Sequence, residues 1–342
     1  MVESPALNDV LNTFRRQTLS GPPATPGSVV AHPDAWPVPV AGAAQQPRRR
    51  MVVAIPSTGR PGILPDTVRA IAGQDRLPDL VLLSVAAAAD IGDLAPETLP
   101  FPVELVIGPK GATVQRNRVI DLLKPDDILL LLDDDFLMAP DYLRRTLEVF
   151  ERNRDVVLAT GTVLADGICG PGYDHAEGAR RLAELSAAPA EERLSRAYAG
   201  YGCNMALRAA PLLEHRLRFD EALPLYSWLE DVDFSRRLAP HGRLVKAGTM
   251  RGVHLGTKTG RTPGVFLGYS QIANPLYLLR KGSISQKHAL EMMLRNSASN
   301  LLRAIRPPAW ADYRGRLKGN VLAVIDALRG RDSPDRILEL KP

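Results

Sequence analysis

The sequence predicts an α/β fold, a mixed, mostly parallel sheet with helices on both faces and further helices at the C-terminal end. Three observations carry this. From Arg50 onward, short apolar runs alternate with segments of helical periodicity, as strand–helix–strand units do. The runs are almost continuously aliphatic, which suits strands covered on both sides. The acidic and glycine-rich segments fall just beyond the carboxyl ends of those runs, where open α/β sheets bind ligands.

Taken in order, residues 1–49 read as a poorly ordered leader. Gly21 to Pro47 is dense in Pro, Ala and Gly, and Leu11 to Leu19 has the spacing of a short helix. Met51 to Ile55 is the first strand, closed by Pro56, Gly59 and Pro61. Asp66 to Gln74 follows as a helix, then strands at Leu80 to Val85 and Val103 to Ile107. Thr113 to Leu123 is helical and Ile128 to Leu132 is a fourth strand. Asp141 to Phe150 places Leu143, Leu147 and Phe150 on one helical face.

The second half is less regular. Val156 to Val163 reads as a strand and Asp166 to Arg196 as an insertion with a helix over Ala179 to Leu185. Gly200 to Leu207 returns as a strand. Glu230 to Leu238 is a helix stopped by Pro240 and Gly242, and Leu244 to Ala247 and Gly252 to His254 are short extended pieces. Residues 287–305 and 316–329 read as amphipathic helices, the last with a stripe of Leu317, Val321, Val324 and Leu328.

The composition bounds the function. With 342 residues, of which 45% are hydrophobic and only 5% aromatic, the chain can bury a large, mainly aliphatic core. The formal charge of +5 is mild at this length, so no nucleic-acid partner is expected; an anionic small substrate or membrane surface suits it as well. Two cysteines, Cys169 and Cys203, read as free thiols of a reducing cytosol. No signal peptide and no run of about 18 apolar residues is seen, so a cytoplasmic protein is expected. Nine Lys or Arg against two acids over residues 280–318 leave peripheral contact with the inner face of a membrane open, through basic C-terminal helices.

Three segments carry chemistry. Asp133, Asp134 and Asp135 directly follow a buried strand, and three carboxylates there call for a cation such as Mg²⁺ or Mn²⁺ bound to phosphate oxygens. A solvated acidic turn is the plain alternative. Glu230 and Asp231, after Trp228, open a helix; they are either dipole-favoured caps or a general base. His254 is followed by Lys258 and Arg261 on a glycine-containing loop, suited to clamping phosphate, with His254 completing the metal shell of Asp133 and Asp135. Lys110 beside the helix start at Gly111 is a further anion contact, or simply part of a loop.

Together these segments resemble family 2 glycosyltransferases. Ile55-Pro-Ser-Thr-Gly-Arg60-Pro resembles the family's opening strand and loop, and Gln115-Arg116-Asn117 its Ala-Arg-Asn helix core. Asp133-Asp134-Asp135 resembles its Asp-x-Asp motif, and Gly200-Tyr-Gly202-Cys-Asn204-Met-Ala-Leu-Arg208 its acceptor-side strand. Phe219-Asp220-Glu221 followed by Trp228-Leu-Glu230-Asp231 resembles its acidic segment. The resemblance covers residues 51–282. It implies a GT-A type, Rossmann-like fold and a domain over residues 50–282, with a nucleotide-binding half (50–150), an acceptor half (151–282) and a helical extension (283–342).

It further implies a nucleotide-sugar donor of the UDP or GDP type, a saccharide or lipid-linked acceptor, Mn²⁺ or Mg²⁺, and inversion, by analogy in polysaccharide or glycolipid assembly. Asp231 would be the base, with Glu230 beside it. Pro56, Thr58, Arg60, Arg116, Asp133 and Asp134 would border the donor, and Gly202, Asn204 and Trp228 the acceptor. The family's acidic pair after the second strand is missing; Asp90 is the stand-in for its donor contact. The alternatives are a sugar-phosphate nucleotidyltransferase, opposed by the Pro-Ser-Thr-Gly-Arg-Pro loop, and a non-catalytic nucleotide-sugar binding protein.

Overall fold

The computed structural model describes residues 49–260 and 262–341, so the expectations for residues 1–48 and for Arg261 lie outside the described residues. Strand β1 (Met51–Ser57) runs parallel to β2 (Leu80–Val85) and β4 (Ile128–Leu132), and β2 runs parallel to β3 (Val103–Ile107). Helix α1 (Leu64–Ala70) and helix α2 (Ala112–Ile120) cross over between them. Side chains alternate across the sheet: Met51, Val53 and Ile55 enter one core with Val68 and Phe150, while Val52 and Ala54 enter the other with Ile120 and Phe234. This is why β1 and β4 read as unbroken apolar runs.

Beyond β4 the sheet becomes mixed, with antiparallel and parallel pairs. Strand β5 (Phe136–Met138) follows the acidic cluster, and helix α3 (Tyr142–Arg152) leads to β6 (Val156–Asp166). Helix α4 (His175–Ser186), β7 (Leu194–Arg196), β8 (Asn204–Arg208) and helix α5 (Ala209–Glu214) come next. Helix α6 (Glu230–Leu238) precedes β9 (Arg243–His254). The order across the sheet is β3-β2-β1-β4-β8-β6-β9-β5, with β7 also paired to β9. The two extended pieces expected at Leu244 and Gly252 are one strand; a register shift opposite Gly161 and Thr162 separates Ala247 from Arg251.

Helix α7 (Gly264–Lys281) was not foreseen, because Pro275 and two glycines, Gly264 and Gly268, interrupt its pattern. It lies inside the expected catalytic unit yet packs with α8 (Gln286–Ile305) and α9 (Tyr313–Leu328) of the expected extension. Tyr269, Ile272 and Ala273 of α7 share a core with Ala323 of α9 and Ile337. Among the described residues, no helix is long and apolar enough to cross a membrane.

Candidate active site

The site is built where the carboxyl ends of β1, β4, β6 and β9 meet the start of α6. Asp135 immediately precedes β5, whose Phe136 pairs with His254 at the end of β9. On the other side of β9, β6 pairs Asp166 with His254. The sheet register alone therefore brings residues far apart in sequence to one point.

His254 is 4% exposed; its Nε2 lies 3.3 Å from Asp135 Oδ1 and its Nδ1 lies 3.0 Å from Asp166 Oδ1. Asp133, Asp135 and His254 each bring one ligand atom to within 4.8 Å of the others. Two carboxylates and an imidazole form a donor set that fits a divalent cation, and a carboxylate on the far imidazole nitrogen is the usual support for a ligating histidine. Burial pushes the His254 imidazole down, but Asp135 and Asp166 outweigh it and raise it to about 10. Burial opposes ionisation of Asp135, but the charges of His254 and Arg60 hold it below the ordinary carboxylate range.

The loop after β9 is folded back over the cluster. Thr257 donates its N–H to Asp135 Oδ2 at 2.8 Å. Gly256 has a left-handed φ of 64° and packs on the backbone of Gly167 and Ile168, where a side chain would collide. Lys258 Nζ bonds the carbonyls of Gly167 and Ile168, each at 3.1 Å, and faces the Trp310 ring. It thus sits on the expected loop, with its ammonium turned to backbone oxygens.

Helix α2 supplies the connection to the second acidic element. Arg116, 3% exposed, pairs Nη1 with Glu230 and reaches Asp133 Oδ1 at 3.3 Å and the Gly202 carbonyl at 3.1 Å with Nη2. Gly202 in turn donates its N–H to Asp231 Oδ2 at 3.0 Å, while Val232 N–H bonds Oδ1 at 2.8 Å. A Cβ at Gly202 would stand 3.2 Å from Glu230 Oε1 and 3.4 Å from Asp231 Oδ2, so a side chain in this turn would require Glu230 to give by a few tenths of an ångström. Burial, and the repulsion between Asp231 and Glu230, raise Glu230 to about 8 against the pull of Arg116. Burial likewise raises Asp231. Before α6, Leu225, Ser227 and Leu229 all have positive φ (58°, 55° and 76°), strain of the kind found at functional sites.

Residues 47–247 match the family model of "Glycosyltransferase like family 2". The chain belongs to this family. Its fold is the GT-A fold: it is 14% identical to Staphylococcus aureus TarS, with a TM-score of 0.50 over 84% of this chain and 50% of that one. GalNAc-T7, in a structure with UDP, GalNAc and Mn²⁺, is 13% identical with a TM-score of 0.50, covering 85% of this chain and 58% of that one. The mannosyltransferase PcManGT from Pyrobaculum calidifontis, in complex with GDP-Man and Mn²⁺, is 16% identical with a TM-score of 0.49, covering 89% and 88%. No curated protein matches the chain.

Several residues of this family 2 member take places the sequence did not foresee. Asn204 is fully buried; its Oδ1 accepts from Thr160 Oγ1 and Gly161 N at 2.9 and 2.7 Å, so its side chain joins β8 to β6. Asp90 accepts three backbone N–H groups, of Gly59, Ala86 and Ala87, and ties the first two strand-end loops together instead of presenting oxygens to a donor. Asp134 is buried under Ser57 Oγ at 2.5 Å and Arg60 Nη1 at 2.7 Å, and burial raises it to about 6; it anchors Arg60 and is closed to a donor.

The other expected donor and acceptor residues lie at the rim. Pro56 and Thr58 are half-buried at the end of β1, with Thr58 Oγ1 bonded to Gln115 Oε1 at 3.2 Å. Arg60 is near Asp135 at 3.8 Å. Lys110 is exposed on the β3–α2 loop, and Trp228 is half-buried, its carbonyl held by Asn274 at 2.7 Å. Asp166 and Tyr201 were missed. Tyr201 hydroxyl donates to Asp166 Oδ2 at 2.9 Å and its ring stands edge-on to His254, 6.0 Å away. Asp166 lies 88 residues before His254, and only the β6–β9 pairing relates them.

Proposed function

We propose that the chain transfers a sugar from a nucleotide-diphosphate sugar to an acceptor hydroxyl with inversion, using Asp231 as general base and a divalent cation held by Asp133, Asp135 and His254. The observation that carries this reading is the Arg116 bridge. One guanidinium joins Asp133 of the cation cluster to Glu230, the neighbour of Asp231, which supports a donor element and a base element acting side by side.

The chemistry follows from the residues. The Asp231 carboxylate, oriented by the N–H groups of Gly202 and Val232, takes the acceptor proton as the hydroxyl attacks. Arg116 offsets its charge. When bound, a cation supplies positive charge for the leaving diphosphate. Because imidazole suits a transition ion better than Mg²⁺, Mn²⁺ is the favoured ion. Arg60 and Lys258 flank the same point and, once released from their present partners, can meet phosphate oxygens. UDP and GDP sugars are both donors of the required class, and a polysaccharide or glycolipid acceptor is the proposed context.

A nucleotide-sugar panel with Mn²⁺ tests this. Release of nucleoside diphosphate, abolished by chelation and by Asp135→Ala, is expected. Release of pyrophosphate from a nucleoside triphosphate and a sugar phosphate would instead identify a nucleotidyltransferase. Donor binding with no turnover by any acceptor or water would identify a binding protein.

A further inference from the structure

Helices α8 and α9 bury a polar cluster against α7 and leave aliphatic residues outside. Asn300 Nδ2 of α8 bonds Asn320 Oδ1 of α9 and Gln271 Oε1 of α7, each at 2.7 Å, and all three residues are buried beside Ala289, Met292 and Ala323. The outward faces of the two helices are aliphatic. On α8, Leu290, Leu294, Leu301, Leu302 and Ile305 are exposed, Ile305 by 71%. On α9, Val321, Val324, Ile325 and Leu328 are exposed, Leu328 by 85%. These positions recur at helical spacing, so each helix presents one stripe. The stripes adjoin: Leu290, Leu294, Val324 and Leu328 line an apolar cleft of about 400 Å³ together with Ile272 and Leu276 of α7. Single exposed leucines are ordinary, but a contiguous patch spanning two helices marks an interaction surface.

The charges around this face choose the occupant. Lys287, Arg306, Arg314, Lys318, Arg329 and Arg331 are exposed at its ends and edges. Of the acids on these helices, Asp312 caps α9 through Gly315 N–H at 2.7 Å and Asp326 is buried beneath the Tyr269 hydroxyl, which leaves Glu291. A second copy across a two-fold axis would set these cations against their equals. A bilayer with anionic headgroups accepts the aliphatic face and neutralises the basic rim at once. No described helix can span the membrane, so the pair would lie in the interface. We propose that the outward face of α8 and α9 docks on an anionic lipid surface. This rests on no assignment in the active site.

The test is flotation of the full chain with vesicles of phosphatidylcholine alone or mixed with phosphatidylglycerol. Binding to the mixed vesicles is expected, with at least a roughly tenfold loss in bound fraction for Leu294→Glu with Leu328→Glu. Arg314→Glu with Lys318→Glu should lose the preference for phosphatidylglycerol while keeping the same melting temperature; it decides the matter should the leucine pair not fold. Three results would overturn the proposal. One is no binding by the full chain. Another is equal binding to both vesicles. The third is a dimer in sedimentation velocity that the leucine pair converts to monomer, which assigns the face to a second copy.

Discussion

Arg116, buried between Asp133 and the start of α6, pairs its guanidinium with Glu230. The pair is a structural device as well as an electrostatic one, because the same side chain holds Asp133 and the Gly202 carbonyl. Removing it leaves a buried carboxylate without a counter-charge. Arg116→Ala should therefore cost about 3–5 kcal/mol in chemical denaturation. Arg116→Lys should recover part of that stability but little activity, since an ammonium cannot fork between three acceptors.

Asp231→Asn keeps the shape and the Gly202 contact while removing the base. Turnover should fall by about 10²–10⁴-fold with donor affinity and melting temperature unchanged. Equal losses in donor affinity and turnover would show that Asp231 acts through donor binding.

How much of this could be read before folding depends on the distance over which each relationship acts. The strands β1 to β4, the acidic turn after β4 and the bounds of α6 are local patterns, and each stood in the sequence. The cluster of Asp133, Asp135 and His254 needed only that two strand ends meet. Asp166 and Tyr201 escaped notice because their roles come from the β6–β9 register, which no local spacing encodes. The burial of Asn204 was not legible either: a polar residue in a glycine-rich motif looks exposed, but its side chain is bonded within the sheet. The stripe on α9 was legible, but not whether it faces a partner helix or the outside.

Asp166 orients the His254 imidazole without being a ligand itself. Asp166→Asn should weaken Mn²⁺ binding about 10–100-fold in calorimetric titration, with the melting temperature little changed. Unchanged affinity would leave Asp166 with a purely structural role.

Asn204→Ala offers a contrast. Its loss takes the acceptor from the Gly161 N–H within the sheet, while Thr160 keeps the main-chain carbonyl of residue 204, and stability should fall by about 1–3 kcal/mol. The acceptor KM should not move. A specific rise in acceptor KM would return Asn204 to the acceptor site.

The acidic pair predicts opposite pH trends for rate and stability. The base acts deprotonated, so kcat should rise with pH, with an apparent value for the Glu230–Asp231 pair above the usual carboxylate range. Glu230 binds its proton more tightly folded than unfolded. Its contribution to stability is therefore full below its ordinary value of 4.5 and lost as pH rises through about 8. A pH–rate profile beside denaturation curves across that window reads both; a rate that falls as pH rises would contradict the base assignment.

The most direct measurement is titration of Mn²⁺ into the wild-type chain and into Asp135→Ala, followed by calorimetry. A single site per chain in the wild type, abolished in Asp135→Ala and restored by no other change, is the predicted result. Equal affinity in the two proteins, or no site in either, would contradict a cation centre at Asp133, Asp135 and His254.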